Sequence, residues 1–167
     1  MSEADLFPIA LSLRVAGLAM AIVVPLGLIL AWVQARRRYR LRALVDALIL
    51  LPLVLPPSVV GYFLVVVLGQ HGPVGSFLAE TVGLRLIFSP AGAVVAATLV
   101  ALPLMVKTAQ PAIESVPLEL EHVGRSLGLS GLALFARVTL PASWRGVLAG
   151  AVLAFARAIG EFGATLM

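Results

Sequence analysis

An all-α fold, a bundle of helices crossing a membrane several times, is predicted by three observations. Of the 167 residues 61% are hydrophobic and only 12% are charged, and the mean hydropathy is +1.09. A water-soluble globule carries roughly a quarter of its residues charged, so there is too little polar surface here to cover one. Next, four apolar stretches, 6–33, 44–68, 86–106 and 144–167, reach the about 20 residues that a helix needs to cross the hydrocarbon core. Finally, the basic residues collect at the ends of those stretches, five of the twelve (Arg36, Arg37, Arg38, Arg40 and Arg42) in one short run. The net charge of +4 therefore reads as membrane topology rather than as a nucleic-acid surface. Cysteine is absent, which excludes disulfides and thiolate metal sites.

The first stretch is too long for a cleaved signal peptide and carries Glu3 and Asp5 where a basic leader would stand. Arginines follow it, and Lys107, Arg125, Arg137 and Arg145 lie in or beside the polar segment 114–141, whereas 1–6 and 69–83 hold no Lys or Arg. The positive-inside rule then predicts an external N-terminus, with the arginine run and 114–141 in the cytoplasm. Trp32, Tyr39 and Trp144 fall at the cytoplasmic interface, as an aromatic belt requires.

Proline recurs inside the stretches, at Pro25, Pro52, Pro56, Pro57, Pro90 and Pro103. Each removes a helix N–H and crowds the preceding turn; in lipid such breaks persist where protein or a water-filled cavity satisfies the freed backbone. The run LPLVLPPSVVGY, residues 51–62, is the most interrupted. It is either a kinked packing helix or a gating element lining a pathway, with Ser58 and Gly61 allowing close approach or hydration.

The segment ESVPLELEHVGRSLGLSGLALFARVTLP, residues 114–141, is a polar interruption between two stretches able to span. Val116, Leu120, Val123 and Leu127 recur at helical spacing as one apolar stripe with Gly124 beside it. Glu119, Glu121, His122, Arg125 and Ser126 occupy the other faces. Pro117 suits a first turn, the two glutamates suit a helix N-terminus, and Gly128 suits a left-handed stop. Ser130 is placed to cap a second short helix, 131–140, which Pro141 is expected to end. Such a pair of helices rests on lipid as an interfacial element or docks into a groove of a protein partner. Two acids against one Arg on the polar face disfavour anionic lipid.

With those elements in place the residues resemble a known family. Gly128, nine residues and then Val138-Thr139-Leu140-Pro141 have the spacing of the cytoplasmic loop of ABC importer permeases: Glu-Ala-Ala, three residues, Gly, nine residues, Ile-x-Leu-Pro. At the start the chain departs from that pattern, for His122, Val123 and Gly124 stand where Glu-Ala-Ala would, with Glu121 one position earlier. LPLVLPPSVVGY, LPLMVKTAQPAIESV and FARAIGEFGAT (155–165) are similar to the molybdate permeases of that family, so the likeness extends over nearly the whole chain.

The resemblance implies a single transmembrane domain over 1–167 whose loop is a coupling helix docking into a cleft on an ATPase subunit. That role falls on Glu121, Gly124, Arg125, Leu127, Gly128, Leu140 and Pro141. It implies as partners a second copy of the permease, a cytoplasmic ABC ATPase dimer and an external molybdate-binding protein, all at the cell inner membrane, with no cofactor and no metal. The family continues past 155–165 with an external loop and a further span, so the chain is expected to be a fragment or a truncated product.

Arg157 and Glu161 stand four residues apart on the last stretch and share a face. They form either a structural pair or a source of positive potential on an oxyanion path, with Glu161 holding Arg157; Pro56, Pro57, Ser58 and Gly61 are the other path candidates. Arg14 can snorkel to the external interface, and Asp46 is expected to act as a local counter-charge to the arginine run. His71 and His122 lie on opposite sides of the membrane and read as solvated histidines. The chain holds no phosphate-binding loop, since Lys107-Thr108 follows Val106 and not Gly, and no Ser/His/Asp arrangement. No catalytic residue is expected, and any ATP hydrolysis belongs to a partner. The alternatives are a sulfate or tungstate permease of the same kind, an ion-coupled secondary transporter, or a non-transporting scaffold.

Overall fold

In a computed structural model the backbone is described for residues 3–37, 39–69, 72–82 and 89–165, and the side chains for 9–37, 39–69, 72–77, 80–81 and 89–160. These residues form helices with no strand among them, the all-α membrane bundle that composition predicts. Three runs are long and apolar enough to cross a membrane, and a bent helix pair makes a fourth if it is counted as one span.

The core is a three-helix packing of α1 (Glu3–Arg36), α5 (Pro90–Glu114) and α8 (Leu140–Thr165), with α5 against both of the others. Helix α5 begins where Ser89, in an extended conformation, accepts a hydrogen bond from the Gly92 N–H at 3.2 Å. Pro90 follows in the first turn, where a missing N–H costs nothing, so this proline opens the helix rather than breaking it.

Helices do not gain from hydrophobic exclusion inside lipid, so close backbone approach has to hold them together. Gly146, Gly150, Ala154 and Ala158 recur at every fourth residue of α8; the two glycines meet α5, and the two alanines are buried in the core that α8 shares with α1 and α5. A Cβ at Gly146 would lie 2.2 Å from the Cβ of Ala112, and one at Gly27 of α1 would lie 2.5 Å from Cγ of Met105. Met105, fully buried, also faces Gly150 and is the point where the three helices converge.

Outside this core lie α2 (Arg42–Val54), which packs on α5, and α3 (Pro57–Leu68), which packs on α4 (Pro73–Val82). Helices α2 and α3 meet at a bend of 110°. Its cause is local. A residue before proline is driven out of the helical region, and two such residues stand in series: Leu55 has ψ 143 before Pro56, and Pro56 has ψ 142 before Pro57.

After α5 a three-residue link leads to α6 (Leu118–Ser126), and Gly128 turns the chain into α7 (Gly131–Leu134). Contrary to expectation, Pro141 does not end this second segment. The helix widens into a π turn (Phe135–Thr139) and runs on into α8 as one continuous rod. The Leu140 N–H reaches back five residues to the Phe135 carbonyl. That register slip relieves the collision that the Pro141 ring would make with the carbonyl four residues back in an ordinary α-helix. The hydroxyl of Ser130 makes no capping bond to α7.

Candidate functional site

The polar groups gather where the end of α1, the start of α2, the end of α5 and all of α6 meet. Helix α6 has acids Glu119 and Glu121 in its first turn and Arg125 in its last, matching the helix dipole. Its C-terminus is a complete Schellman turn. The Gly128 N–H donates to the Arg125 carbonyl at 2.9 Å and the Leu129 N–H to the Gly124 carbonyl at 3.1 Å, with Gly128 at φ +82.

The orientation of α6 is the informative part. Leu120, Val123 and Leu127 of the predicted stripe are 48%, 58% and 78% exposed, and Leu118 and Leu132 extend the apolar surface across the turn. Val116, just before the helix, is buried. The inward face instead carries Glu121, 3% exposed, and Gly124. A Cβ on Gly124 would sit 2.4 Å from Cδ1 of the buried Leu134, so a side chain there would have to push Leu134 aside where α6 packs on α7.

Glu121 is buried because it is paired. Its Oε1 accepts from Nε of Arg36 at 2.8 Å and from the buried Thr139 hydroxyl at 3.0 Å. A second guanidinium nitrogen of Arg36 donates to the Val116 carbonyl at 2.9 Å. Removing one partner of such a pair strands a buried charge and costs about 3–5 kcal/mol. Close by, Trp32 lies against Phe135 of the π turn with ring centroids 5.5 Å apart.

Beside this joint a chain of polar side chains links α1, α2 and α5. Asp46 accepts from Lys107 at 2.5 Å and from Gln34 at 2.7 Å, and the Tyr39 hydroxyl donates to Gln34. Gln110 donates to Glu114 at 3.0 Å, and Arg42 reaches the same carboxylate at 3.0 Å. Asp46 thus bonds Lys107 and Gln34, while Glu114 takes the arginine run's Arg42. The Arg42–Glu114 pair is over a third exposed on both sides and adds little stability, about 0–1 kcal/mol.

The remaining sequence-predicted residues are dispersed. Arg125 and Pro141 are exposed and Leu140 is half-buried. Pro56, Pro57, Ser58 and Gly61 are exposed at and after the bend, and Gly61 faces open space within this chain. Arg157 is half-buried on α8; Glu161 belongs to the same helix, but its side chain lies outside the described residues, as does His71. Among the described residues no group of three or more His, Asp or Glu side chains could hold a metal ion.

Sequence reasoning passed over Arg36 and Thr139. Arg36 reads only as the first of a charge run, and Thr139 occupies the free position of the Leu-Pro motif. Glu121 lies 85 residues from Arg36 along the chain, a separation that no local pattern reveals.

Comparison with known proteins places this arrangement. The family described as binding-protein-dependent transport system inner membrane component matches residues 23–167. The molybdenum transport system permease protein ModB of Escherichia coli strain K12 is 44% identical over 158 residues, 95% of this chain and 69% of that protein. The ModB protein of Haemophilus influenzae is 43% identical, over 97% of this chain and 71% of its own length. That of Azotobacter vinelandii is 39% identical over 100% of this chain and 74% of its own. On the extent of these matches, the chain belongs to the family of binding-protein-dependent transport system inner membrane components.

Proposed function

We propose that the chain is the permease of an ATP-driven importer of molybdate, and that its α6 face is the dock for a cytoplasmic ATPase. The substrate follows from the relatives, which are named for molybdenum transport. The dock rests on one observation: the apolar stripe Leu120, Val123 and Leu127 faces outward while Glu121 of the same helix is tied inward. A short amphipathic helix offering its apolar face is suited to a groove on a partner protein. In this reading Arg125 and Leu127 meet the ATPase, Glu121, Gly124 and Gly128 hold the helix in shape, and Leu140 and Pro141 begin the rod that carries its motion into the membrane.

The arginine run and α6 lie at the same end of the bundle, which supports a cytoplasmic α6 and an external N-terminus. Pro56, Pro57, Ser58 and Gly61 face away from this chain's core and so suit a path completed by a second copy of the permease, with Arg157 supplying positive potential for an oxyanion. ATP hydrolysis belongs to the ATPase and anion selection to an external binding protein.

The test is uptake of radiolabelled molybdate by vesicles holding the permease, its ATPase and the loaded binding protein. Uptake is expected to need hydrolysable ATP and to ignore proton and sodium gradients. Uptake that follows an ion gradient and survives ATP depletion refutes the reading, and preferential uptake of sulfate corrects the substrate.

A further inference from the structure

We infer that Arg36 is a positioning residue for this coupling, the joint through which movement of α6 reaches α1. The inference rests on the reading of α6 as the ATPase dock. Helix α6 has two covalent routes into the core: the link 115–117 to α5, and the Gly128 turn and π turn to α8. No covalent route of comparable length leads to α1, whose last turn is 85 residues away at the Arg36–Glu121 contact. Among the described residues Arg36 makes the polar contacts that close this gap. One guanidinium holds both ends of the entry to α6, the Val116 carbonyl before the helix and Glu121 within it.

Thr139 joins the same carboxylate oxygen from the π turn, so a single buried atom is shared by α1, α6 and the start of the α8 rod. Trp32, one turn before Arg36, bears on Phe135 of that π turn and limits rotation of α1 about the tie. The side chains of Arg36 and Glu121 are 13% and 4% exposed. Held away from water, the pair cannot exchange its partners for solvent as a surface pair does, and it is correspondingly stiff. Displacement of α6 from outside therefore moves all three core helices together while the joint is intact. Without it α1 follows only through its apolar packing on α5 and α8, with no polar tie to α6 itself.

A pin that merely stabilises the fold and a joint that transmits motion respond differently to removal of both partners. Replacing a buried pair by apolar groups is close to neutral for stability, whereas removing one partner is not. The experiment compares Arg36→Met with the double variant Arg36→Met/Glu121→Met in vesicles with the ATPase and loaded binding protein. It reads the yield of the assembled complex and the molybdate taken up per ATP hydrolysed. The single variant is expected to lower the yield. The double variant is expected to recover it, yet to import less molybdate per ATP by about tenfold, the scale of coupling carried by one such network.

A double variant that imports as the unmodified protein does overturns the inference, since the pair is then only a pin. One that no longer binds the ATPase also overturns it, since Glu121 is then a docking contact. Should the double variant fail to accumulate as a folded permease, Arg36→Lys decides: it keeps the charge but loses the planar fork that holds Glu121 and the Val116 carbonyl together. A several-fold loss of uptake per ATP at normal yield supports the joint, and unchanged uptake overturns it. Failure of the unmodified protein to bind an ATPase would instead refute the docking reading itself.

Discussion

Gly128 is the residue at which backbone conformation alone decides the site. A Cβ there would meet nothing, so the constraint is not space. It is the φ of +82, a left-handed conformation that costs a residue with a side chain about 1–2 kcal/mol and that asparagine tolerates better. Gly128→Asn should therefore retain most of the ATPase binding, Gly128→Ala should lose about 1 kcal/mol of stability, and Gly128→Val should lose more. Thermal unfolding of the purified permease, with co-purification of the ATPase, checks the order. Equal tolerance of all three substitutions would refute the Schellman turn as the feature that sets the angle between α6 and α7. This glycine was legible in the sequence because a helix stop is a local event. Glu121 was legible only as an acid in a first turn. Its burial depends on Arg36, and periodicity cannot tell a carboxylate facing water from one facing a buried guanidinium.

The same division between local and distant causes holds for whole elements. The break between α2 and α3 was readable, since two successive prolines each force the preceding residue to be extended and no tertiary contact can undo that. The sequence pattern ends the second short helix at Pro141 and the structure does not, because the rule that proline stops a helix assumes α-register. A π turn changes the register and lets the rod continue. The bend makes a distance prediction. Leu44 and Val66 are both exposed and stand on opposite arms. The bend of 110° puts their backbones about 18 Å apart at a helical rise of about 1.5 Å per residue. Pro56→Ala/Pro57→Ala, by allowing one straight helix, should lengthen this to about 33 Å. The chain has no cysteine, so spin labels at Leu44→Cys and Val66→Cys report it directly by pulsed electron resonance. An unchanged distance would mean that packing on α5, not the proline pair, holds the bend.

At the scale of the whole molecule, charge and packing divide the labour. The core of α1, α5 and α8 is bound by close approach at Gly27, Gly146 and Gly150, and it would pack equally well with either end facing the cytoplasm. Orientation therefore has to come from the ends. Arg36, Arg37, Arg40, Arg42, Lys107 and Arg125 belong to segments joined through the Arg36–Glu121 and Arg42–Glu114 pairs, and Arg137 and Arg145 to the rod that Thr139 ties to Glu121. Val74, exposed on α4, lies beyond the far end of α3, in a segment without Lys or Arg. Leu127 stands on the exposed tip of the α6 turn. By the positive-inside rule a membrane-impermeant thiol reagent added to intact cells should label Val74→Cys and spare Leu127→Cys until the membrane is opened. Co-expression of the ATPase should then protect Leu127→Cys, but not Val74→Cys, in opened membranes. Labelling of Leu127→Cys from outside intact cells would place the α6 face on the side that has no ATP, and the proposed dock would fall with the orientation.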